Sequence, residues 1–215
     1  MATTSTPGYN PTPEEIEFET RAEISSIWTG GRLFIGMYAF LLASLAFSYF
    51  YLRSSNNGDL WRPNHVTAPT SFGWAISSLV VLAALLAIYG QWRLRQGRVL
   101  DWEVAGWLSF GAALSALGVQ IWQLTVLPFY PGSSGYASCF IGWGVVSIMT
   151  ISILVYWTET TLARSIRMRS EQGAGAQLSG SAEGRLFRAG VESCTYFMGF
   201  AALSFIVFTA LFYLL

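Results

Sequence analysis

Residues Leu33 to Pro63 read "LFIGMYAFLLASLAFSYFYLRSSNNGDLWRP". From Leu33 to Leu52 no charged residue occurs, and a run of about 20 such residues is the length a helix needs to cross the hydrocarbon core of a bilayer. Tyr49, Phe50 and Tyr51 crowd the end of the run, followed by Arg53, a polar turn and Trp61. Aromatic and basic side chains collect where a membrane helix meets water. Tyr49, Tyr51, Arg53, Trp61 and Arg62 are therefore expected as interfacial, lipid-contacting anchors.

Four further segments have the same character: Phe72–Gln91, Val104–Leu127, Tyr136–Thr158 and Ser193–Leu215. Stretches such as "AISSLVVLAALLAIYG" and "FAALSFIVFTALFYLL" lack the polar face that a helix of a soluble bundle would need. Apolar residues make up 53% of the 215, and charged ones 11%, against about 25% charged in an ordinary soluble domain. The formal net charge is zero, which leaves no electrostatic basis for nucleic-acid binding. The sequence predicts an all-α polytopic membrane protein, a bundle of five transmembrane helices.

All twelve basic residues are arginines. With five crossings, the N-terminal tail, the second loop and the fourth loop share a side. That side holds ten arginines: 21, 32, 93, 95, 98, 164, 167, 169, 185 and 188. Only Arg53 and Arg62 fall on the other side. The positive-inside rule then predicts an N-terminus inside and a C-terminus outside.

Residues 1–29 form an acidic tail without the basic start and short apolar core of a cleavable signal. Within it, "TPEEIEFETRAEISSIW" reads as a short helix on the inner surface. Thr12 and Glu15 have capping-box spacing, Pro13 suits the first helical position, and Ile16, Ile24, Ile27 and Trp28 can form one face. Its acidity suits a basic neighbouring subunit; a frayed tail is the alternative. Residues 30–215 form the bundle, interrupted by a stretch at 170–184, including "SEQGAGAQLSGSAEG", with the composition of a flexible linker.

Chemistry-bearing residues are scarce. His65 is the sole histidine, too few for a bis-histidine haem or a histidine-rich metal centre. Cys139 and Cys194 fall near opposite ends of the membrane-crossing segments, too far apart for a disulfide. No catalytic, cofactor-binding or metal-ligating residue is expected in this chain. A buried carboxylate would mark a proton path, but Glu103, Glu159 and Glu192 all fall near inner helix ends. Glu159 is expected to pair with Arg164. In the third helix, "GAALSALG" places Gly111 and Ser115 four residues apart, beside Ala112 and Ala116. Small residues at that spacing let membrane helices approach closely, so these four are the expected packing seam.

In order and spacing, these features resemble subunit III of the haem–copper respiratory oxidases (cytochrome c oxidase subunit 3-like), in its short five-helix form. The resemblance rests on the "YFYLR" exit followed by Trp61-Arg62-Pro63, the basic loop "WRLRQGR", the "QIWQL" helix end, the loop "PFYPGSSGY" and the terminal "YL". It spans about residues 30–215. Aligned through "FIGMY" and "YFYLR", Tyr38 stands where the family commonly has an acidic residue. Neither the pair of histidines usual in the fourth of these helices nor the histidine–aspartate run usual at the start of the last is present. The resemblance implies a non-catalytic, stabilising subunit of a terminal oxidase of the aerobic respiratory chain. It would pack against the catalytic subunit, which carries the haem and copper, and would hold phospholipid. Tyr38 would serve packing and one hydrogen bond. An accessory subunit of a nitric oxide reductase is a close variant, and a membrane assembly factor or small transporter is the alternative class.

Overall fold

In the computed structural model, residues 12–56, 60–63, 67–173 and 175–214 are described. His65 lies outside them. The described residues form five long helices: α1 (Pro13–Ser55), α2 (Thr70–Arg95), α3 (Val99–Thr125), α4 (Gly135–Gln172) and α5 (Ala182–Thr209), the last continued by a π-helical turn over Ala210–Leu214. All five are long and apolar enough to cross a membrane. The chain is a multi-pass membrane protein.

Helix α1 starts as its sequence dictates. The Thr12 hydroxyl accepts from the Glu15 amide at 3.3 Å, and the Glu15 carboxylate accepts from the Thr12 amide at 2.7 Å. Together the two bonds satisfy orphan donors of the first turn. The expected break between a surface helix and the first crossing is absent. Gly30 and Gly31 lie inside one helix of 43 residues, about 65 Å long at 1.5 Å per residue. Its length exceeds twice the hydrocarbon thickness, so one end of α1 projects into water. Helices α1 and α5 cross closely at Gly31, where a Cβ would lie 2.5 Å from the Ser193 Oγ and would force that hydroxyl to turn away.

Helix α5 is the centre of the bundle, touching α1, α2 and α4. It buries Phe197, Met198, Phe205, Phe208 and Phe212 among the other helices. Helices α2 and α3 share the most extensive contact of any pair, and a Cβ on Gly90 would meet the Cβ of Ala105 at 3.2 Å. Large apolar residues such as Met37, Phe40 and Phe47 remain exposed on α1. Such a face is stable against lipid, where exposed apolar surface carries no penalty.

Alternating helix directions create two unlike ends. One gathers the start of α1, the α2–α3 and α4–α5 junctions, and the ion pairs; we term it the charged end. The other gathers the end of α1, the start of α4 and the end of α5, and is built of aromatic rings. Between α4 and α5 the supposed flexible linker is packed. A 3₁₀ turn over Ala176–Leu178 buries Ala176 and Gln177, because the Gln177 amide donates to the Ser165 carbonyl at 2.9 Å and to its hydroxyl at 3.0 Å. Arg188 closes the turn by donating to the carbonyls of Gln177 and Ser179 at 2.9 and 3.0 Å.

Candidate functional site

An opening lies between α1, α2 and α5 near the charged end. It is a cleft of about 490 Å³. Trp28, Ile88, Phe200 and Leu203 supply its apolar walls, and Arg95 and Glu192 line it too, joined by a bond of 2.9 Å. Ile88, Tyr196 and Leu203 are exposed. The cleft opens toward the lipid-facing side and carries charge alongside its apolar walls, the polarity of an amphiphile. It can receive an acyl chain and place a headgroup against Arg95.

Several sequence-selected residues lie elsewhere than expected. Of the packing seam, Ala112 and Ala116 are buried with Ala113, and the Ser109 hydroxyl donates 2.8 Å across to the Ala83 carbonyl. Gly111 and Ser115 turn outward: the Ser115 hydroxyl donates to its own helix at the Gly111 carbonyl, 2.8 Å, and nothing lies within 4 Å of a Cβ placed on Gly111. The helical rotation of 100° per residue puts the true seam one position away. Glu159 and Arg164 form no ion pair. Five residues apart on α4, they diverge by about 140° around the axis; Glu159 is exposed, and Arg164 faces Glu23 and Ser26 of α1 across a separate surface hollow.

Two of the expected interfacial anchors are core residues. Tyr49 is wholly buried and Trp61 is 7% exposed. Their rings pack edge-on at 5.1 Å, and Tyr49 meets Phe212 at 5.2 Å. Tyr136 completes this cap: its hydroxyl donates to the Phe212 carbonyl at 3.0 Å and accepts from the Ala68 amide at 3.3 Å. Tyr51 is exposed and Arg62 lies over the Tyr136 ring at 4.4 Å. Arg53 reaches back to the Tyr49 hydroxyl at 3.3 Å.

Tyr38 lies in mid-bundle, 9% exposed, with its ring edge-on to Phe197 and Phe200. Its hydroxyl bonds the Thr150 hydroxyl of α4. Thr150 donates its own proton to the Val146 carbonyl at 2.7 Å, so Tyr38 is the donor. Cys139 and Cys194 are buried free thiols.

A buried carboxylate network at the charged end was not legible beforehand. Glu103 of α3, with a side chain 9% exposed, accepts from the Ser165 hydroxyl at 2.9 Å and from Arg169 at 2.6 Å. Helix numbering alone places Glu103 near a loop; only the fold brings α4 and the 3₁₀ turn over it. Nearer the tip, Glu17 of α1 takes two bonds from Arg185 of α5, 2.6 and 3.0 Å, and one from Arg21. Acidic residues surround it along the first turns, placing it in water. The Arg185 bonds, then those of Arg21, hold the Glu17 carboxyl at about 2, below its ordinary 4.5.

No group of three or more histidine, cysteine or acidic side chains converges among the described residues. The architecture therefore defines a class: a five-helix, multi-pass membrane protein with an open apolar cleft and a sealed aromatic cap. No family model matches the chain, and no curated protein matches it either.

Proposed function

We propose that the chain is a non-catalytic subunit of a terminal haem–copper oxidase, resembling subunit III in its short form. In this reading it packs against the catalytic subunit, which holds the haem and copper, and retains phospholipid in its cleft. The carrying observation is the cleft between α1, α2 and α5, with its apolar walls and its Arg95–Glu192 pair. The exposed apolar face of α1 supports it by offering a surface for a neighbouring membrane helix. The chain's part is mechanical: it holds lipid and partner in place, while electron transfer and oxygen reduction occur in partner chains.

Purification from its native membrane in mild detergent tests this reading. The expected result is co-elution with haem absorbance of the a or b type. A pure, spectrally silent protein from aerobically grown cells would overturn it.

The reading also sets the N-terminus inside a bacterial plasma membrane and the C-terminus outside, on the ten-to-two arginine distribution. Ser55→Cys and Ser170→Cys sit at opposite ends on exposed positions, and both native thiols are buried. An impermeant outside reagent is expected to label the first and spare the second; the reverse would invert the topology.

A further inference from the structure

Most arginines of the charged end are already engaged. Arg93, Arg95, Arg169 and Arg185 each meet a carboxylate of another helix or loop, and Arg188 holds two carbonyls. Arg164 of α4 is half-buried, yet it forms no ion pair among the described residues. Across a hollow of about 340 Å³ it faces Glu23 of α1, which is likewise without an ion pair. Ser26 lines the same hollow, and the half-buried Ile27 and Leu186 give it an apolar lining. Opposite charges thus share one hollow without closing on each other. The backbones around it are pinned. On one side Glu17 is clamped to Arg185 by bonds of 2.6 and 3.0 Å; on the other, α1 crosses α5 closely at Gly31. Walls set in advance spare a ligand the cost of ordering them.

We propose that this hollow binds a small zwitterion, an α-amino acid with an aliphatic side chain. A bare anion drawn to Arg164 is repelled by Glu23, and a bare cation meets the converse. A molecule carrying both charges satisfies both walls. The planar fork of Arg164 takes the carboxylate through paired hydrogen bonds, and Glu23 accepts from the ammonium. The Ser26 hydroxyl offers one further hydrogen bond, and the aliphatic side chain lies on Ile27 and Leu186. The volume sits near the low end for small-ligand sites, roughly 300–1,000 Å³, which suits a molecule of this size. The hollow shares no residue with the Arg95–Glu192 cleft. It needs no oxidase partner, so it stands or falls independently of the proposed function.

Isothermal titration calorimetry of the full chain in neutral detergent tests the assignment, with leucine, isocaproate and isoamylamine as probes. Isocaproate lacks the ammonium and isoamylamine the carboxylate. The expected result is saturable binding of leucine at millimolar concentration. Each single-charge analogue should bind at least about tenfold more weakly, the loss of one charge-assisted hydrogen bond. Arg164→Gln and Glu23→Gln should each weaken leucine by a similar factor. Neither residue has an ion-pair partner to lose, so both variants should melt near the temperature of the native chain. Arg164→Glu should invert the preference and take isoamylamine over leucine, an outcome that loss of structure cannot produce. Arg95→Gln should leave leucine binding unchanged. Absence of saturable leucine binding, or equal affinity for all three probes, would overturn the proposal. So would a loss confined to Arg95→Gln, which would place the bound molecule in the cleft.

Discussion

The two ends of the bundle close by different means. At the aromatic end, Tyr49, Trp61, Tyr136 and Phe212 interlock edge to face, and the Tyr136 hydroxyl buried among them is spent on backbone groups of the last turn and a loop. At the charged end, four helix pairings carry ion pairs: Glu17 with Arg185, Arg93 with Asp101, Arg95 with Glu192, and Glu103 with Arg169. Arginine tolerates that position because its long stem lies along apolar surface while the guanidinium reaches water. Tightly packed rings lose contact outright when one is removed. A half-exposed ion pair loses only what solvent does not replace. The aromatic end is therefore the more brittle of the two.

The sharpest way to break this contrast is Phe212→Ala. Its ring touches Tyr49 at 5.2 Å and Phe140 at 5.7 Å. The expected loss is about 3 kcal/mol, toward the low end for Phe→Ala, because lipid rather than water surrounds the separated helices. Unfolding by dodecyl sulfate in mixed micelles measures it. A loss below that of the charged-end variants would reverse the ranking.

At the charged end the strongest single effect is expected from Arg169→Met, which leaves Glu103 buried without its cation. Arg169 is 39% exposed and Glu103 9%, so the expected loss is about 2 kcal/mol, below the range for a fully buried pair. Adding Glu103→Gln should restore most of it. If the double variant is no better than the single, the charge left behind is not what destabilises.

Mid-bundle, Tyr38→Phe should cost about 1 kcal/mol, one net hydrogen bond, because the Thr150 hydroxyl keeps its bond to Val146. In the proposed oxidase complex, that variant should leave the proton-to-electron ratio unchanged. A fall with haem content normal would give the helix a part in the chemistry.

The smallest effect concerns Glu17→Gln at the tip. The folded carboxyl titrates at about 2 against an ordinary 4.5. A depressed acid stabilises above its unfolded value and loses that contribution as pH falls toward its folded one. The melting temperatures of native chain and Glu17→Gln should therefore differ above pH 4.5 and converge between there and pH 2. A gap that persists at the lower limit would mean that the pair acts through packing alone.

Much of the fold was legible because it depends on local, one-dimensional properties. The apolar runs located all five helices, and Thr12, Pro13 and Glu15 marked the start of α1. The runs understated the helices. Composition detects where a helix meets lipid, whereas α1, α4 and α5 continue past that point as long as neighbouring backbones and ion pairs support them. The linker misled for the same reason: Gly- and Ser-rich composition describes an isolated chain, and Gln177 gains its order from Ser165 twelve residues away.

The sequence by itself determined that the chain crosses a membrane, since no polar face exists to satisfy water and every backbone group must be bonded within its helix. It also determined the unequal sharing of arginine between the two ends. Only the tertiary structure decided which residues of each helix face inward. A helix that is apolar all round has no polar side for water to hold outward, so nothing in its composition fixes its rotation and the choice falls to packing. Gly111 and Ser115 were as suitable by type as Ala112 and Ala116, and Tyr49 as suitable for an interface as Tyr51. The close fit of α3 against α2, and of the α1 end against Phe212, selected one of each.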